Sequence, residues 1–212
     1  MAYNAVPTVA TGDPWSAANH NTYIRDNFAA GVPDIFTAAG QLAYATGANA
    51  AAALATGVAR KILRMNSAAN APEWAGAIVT RVARTGTAQV ISHATETDIS
   101  WNSETYDTDG LWAAGSPTVF TIPYAGYWHI EVEIRWAANA TGYREVKLQL
   151  GAGTTLGYDV RPGTSLADHI VRASADFVFG ATNTVRAQVA QTSGGNLNVN
   201  TSSWMSAFFV GP

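Results

Sequence analysis

The sequence predicts a mainly β protein, an antiparallel jelly-roll sandwich that follows an N-terminal region holding a short helix and an extended segment. Three observations predict it. From about Ala77 to Pro212, β-branched and aromatic residues alternate with polar ones. Turn formers interrupt that stretch at short intervals, as at Asp109–Gly110, Gly151–Gly153 and Gly194–Asn196. The composition also changes sharply near residue 75, from Ala- and Asn-rich to strand-like. Two regions are therefore expected, 1–76 and 77–212.

In the first region, Asp13 to Phe28 reads as a helix. Asp13 is placed to cap the first free N–H groups, and Pro14 occupies a first-turn position where its missing N–H does no harm. Gly31 and Pro33 end the helix. Its apolar residues, Trp15, Tyr23, Ile24 and Phe28, fall only roughly on one face, so it should dock on a neighbour. From Phe36 to Trp74 short apolar groups recur between Gly-, Ala- and Asn-bearing turns, with a short helix expected from Asn49 to Leu54. This segment reads either as a shaft ordered by wrapping around identical chains or as a flexible linker.

In the second region about ten short strands are expected, the pattern of a sandwich or jelly roll. They are Ile78–Arg84, Gln89–Ile91, Thr97–Ile99, Val119–Ile122, Gly126–Trp136, Arg144–Leu150, Thr155–Val160, Ala167–Phe179, Thr184–Gln191, Leu197–Thr201 and Met205–Val210. The alternation is plainest in Tyr127–Trp136. Trp128, Ile130, Val132, Ile134 and Trp136 take one face; Tyr127, His129, Glu131, Glu133 and Arg135 take the other. Ala207–Val210 is apolar on both faces, as in a strand covered on both sides, centrally in its sandwich or at a subunit contact.

Bulk properties exclude several functions. Only 13% of residues are charged, against ~25% in typical domains, so part of the surface is expected to be buried against other copies. A net charge of −3 leaves no basic footprint for nucleic acid. No apolar run reaches the ~18 residues of a membrane span, and the N-terminus lacks a signal-peptide pattern. Cysteine is absent, which removes disulfides, thiolate nucleophiles and Cys-based zinc sites.

Catalytic patterns are not found. His20, His93, His129 and His169 stand singly, and His129 with Glu131 and Glu133 reads as a polar strand face. Asp107–Gly110 opens like a calcium loop but lacks the later ligands and reads as a turn. Glu96, Asp98, Glu104, Asp107 and Asp109 form an acidic stretch that reads as solvated, and no nucleophile elbow is present. No enzyme, cofactor or metal is expected. The ligand-binding candidates are Trp101, Tyr106 and Trp112, aromatic side chains in what reads as a long Asp-bearing loop.

The stretch SPTVFTIPYAGYWHIEVEIRW, Ser116 to Trp136, carries a resemblance. A strand stops at Pro123, a turn follows at Ala125–Gly126, and a long amphipathic strand begins at Tyr127. With Phe120, Thr121, Ile122, Pro123, Gly126 and Tyr127, it resembles the signature of the globular heads of the complement and tumour-necrosis-factor superfamily. The closing string SSWMSAFFVG, Ser202 to Gly211, is similar to their last strand. The resemblance implies a tumour-necrosis-factor-like jelly roll assembled as a homotrimer, with Phe120, Tyr127, Trp128, Phe208 and Phe209 in core or trimer packing. Such heads bind protein or carbohydrate partners and are not catalysts.

Two N-terminal strings add a setting. TGDPWSAANHNTYIRDNFAA, Thr11 to Ala30, resembles the opening of tailed-bacteriophage virion proteins, and KILRMNSAANAPEW, Lys61 to Trp74, is similar to shaft-to-head linkers of phage fibres. This implies a structural virion protein at the particle surface, made in the host cytoplasm. Its N-terminus, through Trp15, Tyr23, Ile24 and Phe28, would fasten it to capsid or tail proteins. The alternative is a tail-fibre adhesin whose head binds host-surface glycan or protein.

Overall fold

The computed structural model describes residues 36–47, 50–57, 61–66, 68–151, 153–166 and 169–212. The expected helix from Asp13 to Phe28, with Trp15, Tyr23, Ile24 and Phe28, lies outside them. Backbone contacts divide the chain into two compact units, Met1–Gly76 and Ala77–Pro212.

In the first unit the Ala-rich segment is β structure. β1 (Leu42–Gly47) pairs antiparallel with β2 (Ala50–Leu54), setting Leu42 opposite Leu54 and Tyr44 opposite Ala52. The helix expected from Asn49 to Leu54 is thus corrected to a strand. A run that short gains little from the helix propensity of Ala because nucleating a helix is costly, whereas pairing satisfies its backbone at once. β3 (Ile62–Met65) pairs with β4 (Pro72–Ala75) across a turn in which Asn66 bonds Ala71, Ala69 and Asn70. Trp74 joins the pieces. Its indole N–H donates to Ala55 O at 2.8 Å, and its ring lies so close to Gly57 that a Cβ there would stand 2.6 Å from it.

The second unit is an antiparallel jelly-roll sandwich. One sheet runs in the order β8 (Ser103–Asp107), β5 (Val79–Ala83), β16 (Trp204–Gly211), β10 (Gly126–Trp136), β13 (His169–Phe179). β15 (Leu197–Val199) and β6 (Gln89–Ile91) continue it from the end of β10. The other sheet runs β12 (Thr154–Thr164), β11 (Asn139–Leu150), β14 (Thr184–Gln191), with β7 (Thr97–Asp98) and β9 (Val119–Thr121) also paired to β14. The chain crosses between sheets from β6 to β7, β7 to β8, β8 to β9, β9 to β10, β10 to β11, β12 to β13, β13 to β14 and β14 to β15.

The alternation read in the sequence builds the core. Trp128, Ile130, Val132, Ile134 and Trp136 from β10 meet Val146, Leu148, Val185, Ala187 and Val189 from the opposite sheet, all buried. The corner between β9 and β10 is where Phe120 and Ile122 enter that core, and the Trp128 indole donates to Tyr124 O at 3.1 Å across it. Gly126 takes φ of +143°, and a Cβ there would stand 2.5 Å from Gly211 O. Only glycine fits at that point.

Candidate assembly face

The outer face of the β8–β5–β16–β10–β13 sheet is assembled by strand register. On β10, Tyr127, His129, Glu131 and Glu133 point away from the core. Opposite them on β13 stand Val178, Asp176, Ser174 and Arg172, and on β16 Phe208, Ser206 and Trp204 pair with His129, Glu131 and Glu133. Partners across a sheet share a face, so these residues form one surface.

That surface has two zones. At the Gly126 end it is apolar: Tyr127 is 54% exposed, Val178 53%, Phe208 44% and Val210 62%. The register between β10 and β16 shifts here, leaving Val210 unpaired in a bulge. His129 borders the zone, its Nδ1 2.7 Å from Asp176 Oδ1 and its ring 5.0 Å from that of Phe208. At the Trp136 end the surface is ionic. Glu133 is buried between Arg172, at 2.8 Å from Nε, and Arg135, at 2.9 Å from Nε. Burial alone raises the Glu133 carboxyl; the hydrogen bonds and charges of Arg172 and Arg135 outweigh it and hold the group below its ordinary value. Arg81 lies over the Trp204 ring at 4.2 Å.

The outer face of the other sheet contrasts with it. Lys147 bonds Glu96 at 2.6 Å and Glu145 at 2.8 Å, and these hydrogen bonds raise the Lys147 ammonium above its ordinary value. Arg186 bonds Asp98 at 2.9 Å. Glu96 and Asp98, which read as solvated acids in the sequence, are therefore structural partners of cations.

The sequence candidates separate on the structure. Trp101, expected in an exposed loop, is a correction: it is 1% exposed and packs in the core, so its ring offers no ligand platform. Trp112 is half-buried against the same core, with its indole N–H donating to Pro117 O at 3.3 Å. Tyr106 is 41% exposed, but it belongs to strand β8, not a loop, and pairs with Arg81 on the assembly face. Phe120 and Trp128 lie in the core, Phe209 packs against it edge-on to Trp128 at 5.1 Å, and Tyr127 and Phe208 face outward. Of the two coverings expected for Ala207–Val210, the chain itself supplies only the inner one: β16 is central in its sheet, Ala207 and Phe209 pack inward, and Phe208 and Val210 are left exposed on the outer side.

The sequence missed one functional feature of the 103–112 stretch. Asp107 organises it: the carboxylate accepts from Thr80 Oγ1 at 2.7 Å, Leu111 N–H at 3.0 Å and Trp112 N–H at 2.8 Å. An Asp followed by a Gly three residues on, Gly110 with φ of +71°, was the available signal of such a turn.

No protein-family model matches the chain. A comparison with curated proteins likewise gives no match. Among solved structures, murine APRIL at pH 5.0 is similar over 62% of this chain and 98% of its own, with 10% identity and a TM-score of 0.48. The globular domain of zebrafish complement 1qA is similar over 63% and 97%, with 12% identity and a TM-score of 0.45. Eiger TNF from S. frugiperda is similar over 64% and 93%, with 13% identity and a TM-score of 0.48. The fold described above rests on this chain's own strand order and register.

Proposed function

We propose that the protein is a structural, non-catalytic homotrimer of a bacteriophage particle, a decoration protein or short fibre that is fastened by its N-terminal region and displays the jelly-roll unit. The observation that carries self-association is the apolar zone of Tyr127, Val178, Phe208 and Val210 on a regular sheet face. Apolar area of that kind gains about 25 cal/mol per Å² when covered, and a flat sheet face suits a folded partner better than a small molecule. The low charge content supports the same reading. Closed cyclic symmetry is the usual outcome when identical folded subunits associate.

The virion setting is supported by the two N-terminal strings, Thr11–Ala30 and Lys61–Trp74. Two arms test it. Antibody against the 77–212 unit should decorate intact particles at regular positions, and particles that bind none would overturn the setting. Phe208→Asp should dissociate the assembly at micromolar concentration while leaving the circular dichroism of the fold unchanged. An oligomer indifferent to that change would remove this face from the account.

An adhesin reading keeps one specific support. Tyr158 is 64% exposed beside exposed Val160 on β12, at the edge of the second sheet. Saturable binding to immobilised host-surface glycan that is lost in Tyr158→Ala would favour it over a purely structural role.

A further inference from the structure

The first unit carries an apolar face of its own. β3 and β4 pair as Ile62 with Ala75, Leu63 with Trp74, Arg64 with Glu73 and Met65 with Pro72. Side chains alternate along a strand and register partners share a side, so Leu63, Met65, Pro72 and Trp74 form one face of the ribbon. Ile62, Arg64, Glu73 and Ala75 form the other, where Arg64 Nε lies 2.9 Å from Glu73 Oε1. The first face has one polar side-chain group, the Trp74 indole N–H, and it is already given to Ala55 O. Leu63 and Met65 are nonetheless exposed. The neighbouring β1–β2 hairpin has the same character: residues 42–57 include no charged side chain, and β1 is exposed along most of its length.

A ribbon two strands wide is marginal by itself in water, and its apolar face gains stability only when something covers it. It is too narrow to enclose a small molecule, which calls for a concave site. Chain connectivity selects a different occupant. Only residues 76–78 separate β4 from β5, and Val79 of β5 is the register partner of Phe208. Association through the face around Phe208 therefore holds one ribbon per copy on a short tether. Tethered groups meet at an effective concentration on the order of millimolar, which lets a contact too small to form alone form among the copies. An unrelated partner has no such advantage. The apolar face is uncharged and so meets its own copy without like-charge repulsion.

We infer that the β3–β4 ribbon is a second contact between identical chains, in which Leu63, Met65, Pro72 and Trp74 of each copy pack against the same residues of the others while the Arg64–Glu73 side stays in solvent. This rests on the homotrimer proposed above. Around a closed threefold axis equivalent residues of the copies face one another, so the ribbons bring like to like. The segment before the jelly-roll unit then acts as an interchain shaft and not as a flexible linker.

The test uses the full chain. It contains no cysteine, so Met65→Cys supplies the only thiol on the apolar face and Arg64→Cys the only thiol on the ionic one. With a short bismaleimide, at concentrations where sedimentation equilibrium gives the trimer mass, Met65→Cys should join chains in pairs. At most about two-thirds of the chains should be joined, because a threefold site leaves one thiol over. Arg64→Cys should join few. Adding Phe208→Asp to Met65→Cys removes the tether, so the crosslink should fall and a monofunctional maleimide should label the thiol faster. A trimer whose Met65→Cys thiols crosslink no better than those of Arg64→Cys would overturn this inference and leave the Phe208 contact standing. So would a thiol that stays protected in the dissociated chain, because a segment of the same chain would then be the occupant. A wild-type chain that remains a monomer would overturn both, and its mass tells that failure from the other.

Discussion

Replacing Asp107 by alanine isolates the group that orders the 103–112 stretch. The carboxylate accepts three hydrogen bonds, from the Thr80 hydroxyl and from the backbone N–H groups of Leu111 and Trp112. Thr80 is fully buried, so its hydroxyl loses its partner where water does not reach; an orphaned buried group costs about 1–3 kcal/mol. The two N–H bonds to a charged acceptor contribute about 1.5–3 kcal/mol each when sheltered, and the part-exposed site takes the lower end. The loss should therefore be about 4–6 kcal/mol. Urea unfolding at fixed protein concentration measures it as a lower midpoint with an unchanged slope. Asp107→Asn should lose roughly half as much, because one amide oxygen still accepts while the NH₂ faces a donor. A loss under about 1 kcal/mol for the alanine variant would refute the reasoning, because exposed loop carboxylates lie within about that range.

Further outcomes follow from the same geometry. Trp101→Ala should destabilise the fold by about 3–5 kcal/mol in urea, as for other buried aromatics, whereas Tyr106→Ala should change monomer stability by less than about 1 kcal/mol. Because Glu133 has a depressed folded value, its contribution is fully present above the unfolded carboxyl value of about 4.3 and is lost as pH falls through the folded one. The stability gap between wild type and Glu133→Gln should thus be constant from pH 6 to about 5 and close in more acidic solution. Gly126→Ala forces a Cβ against Gly211 O at positive φ; it should cost about 1–3 kcal/mol and speed amide exchange in the last strand.

The fold was legible where one face of a strand is buried. β10 and β14 show it: each alternates along its length, and each packs one side against the opposite sheet. β8, Ser103–Asp107, was not legible, because its SETYD sequence holds no apolar alternation and it lies at the sheet edge with most of its side chains in solvent. The hairpin of β1 and β2 was hidden for another reason: four consecutive Ala residues carry no period and favour a helix on propensity alone. β12 extends through Pro162 because an edge strand tolerates a residue that cannot donate.

The site was legible only in part, because a sequence shows which residue types occur and not which strand lies beside them. Phe208 was visible as apolar on a doubly apolar strand, but its exposure follows from β16 being central in a sheet with one uncovered side. Trp101 read as a loop aromatic because β8 was unseen; with that strand in place, Trp101 precedes an edge strand and turns into the core.

Self-association through the face around Phe208 is the central claim, and the mass of the full chain in solution tests it most directly. Sedimentation equilibrium at micromolar concentration should give about 67 kDa, three times the 22.3 kDa of one chain. A species of 22.3 kDa that persists as concentration rises would contradict it.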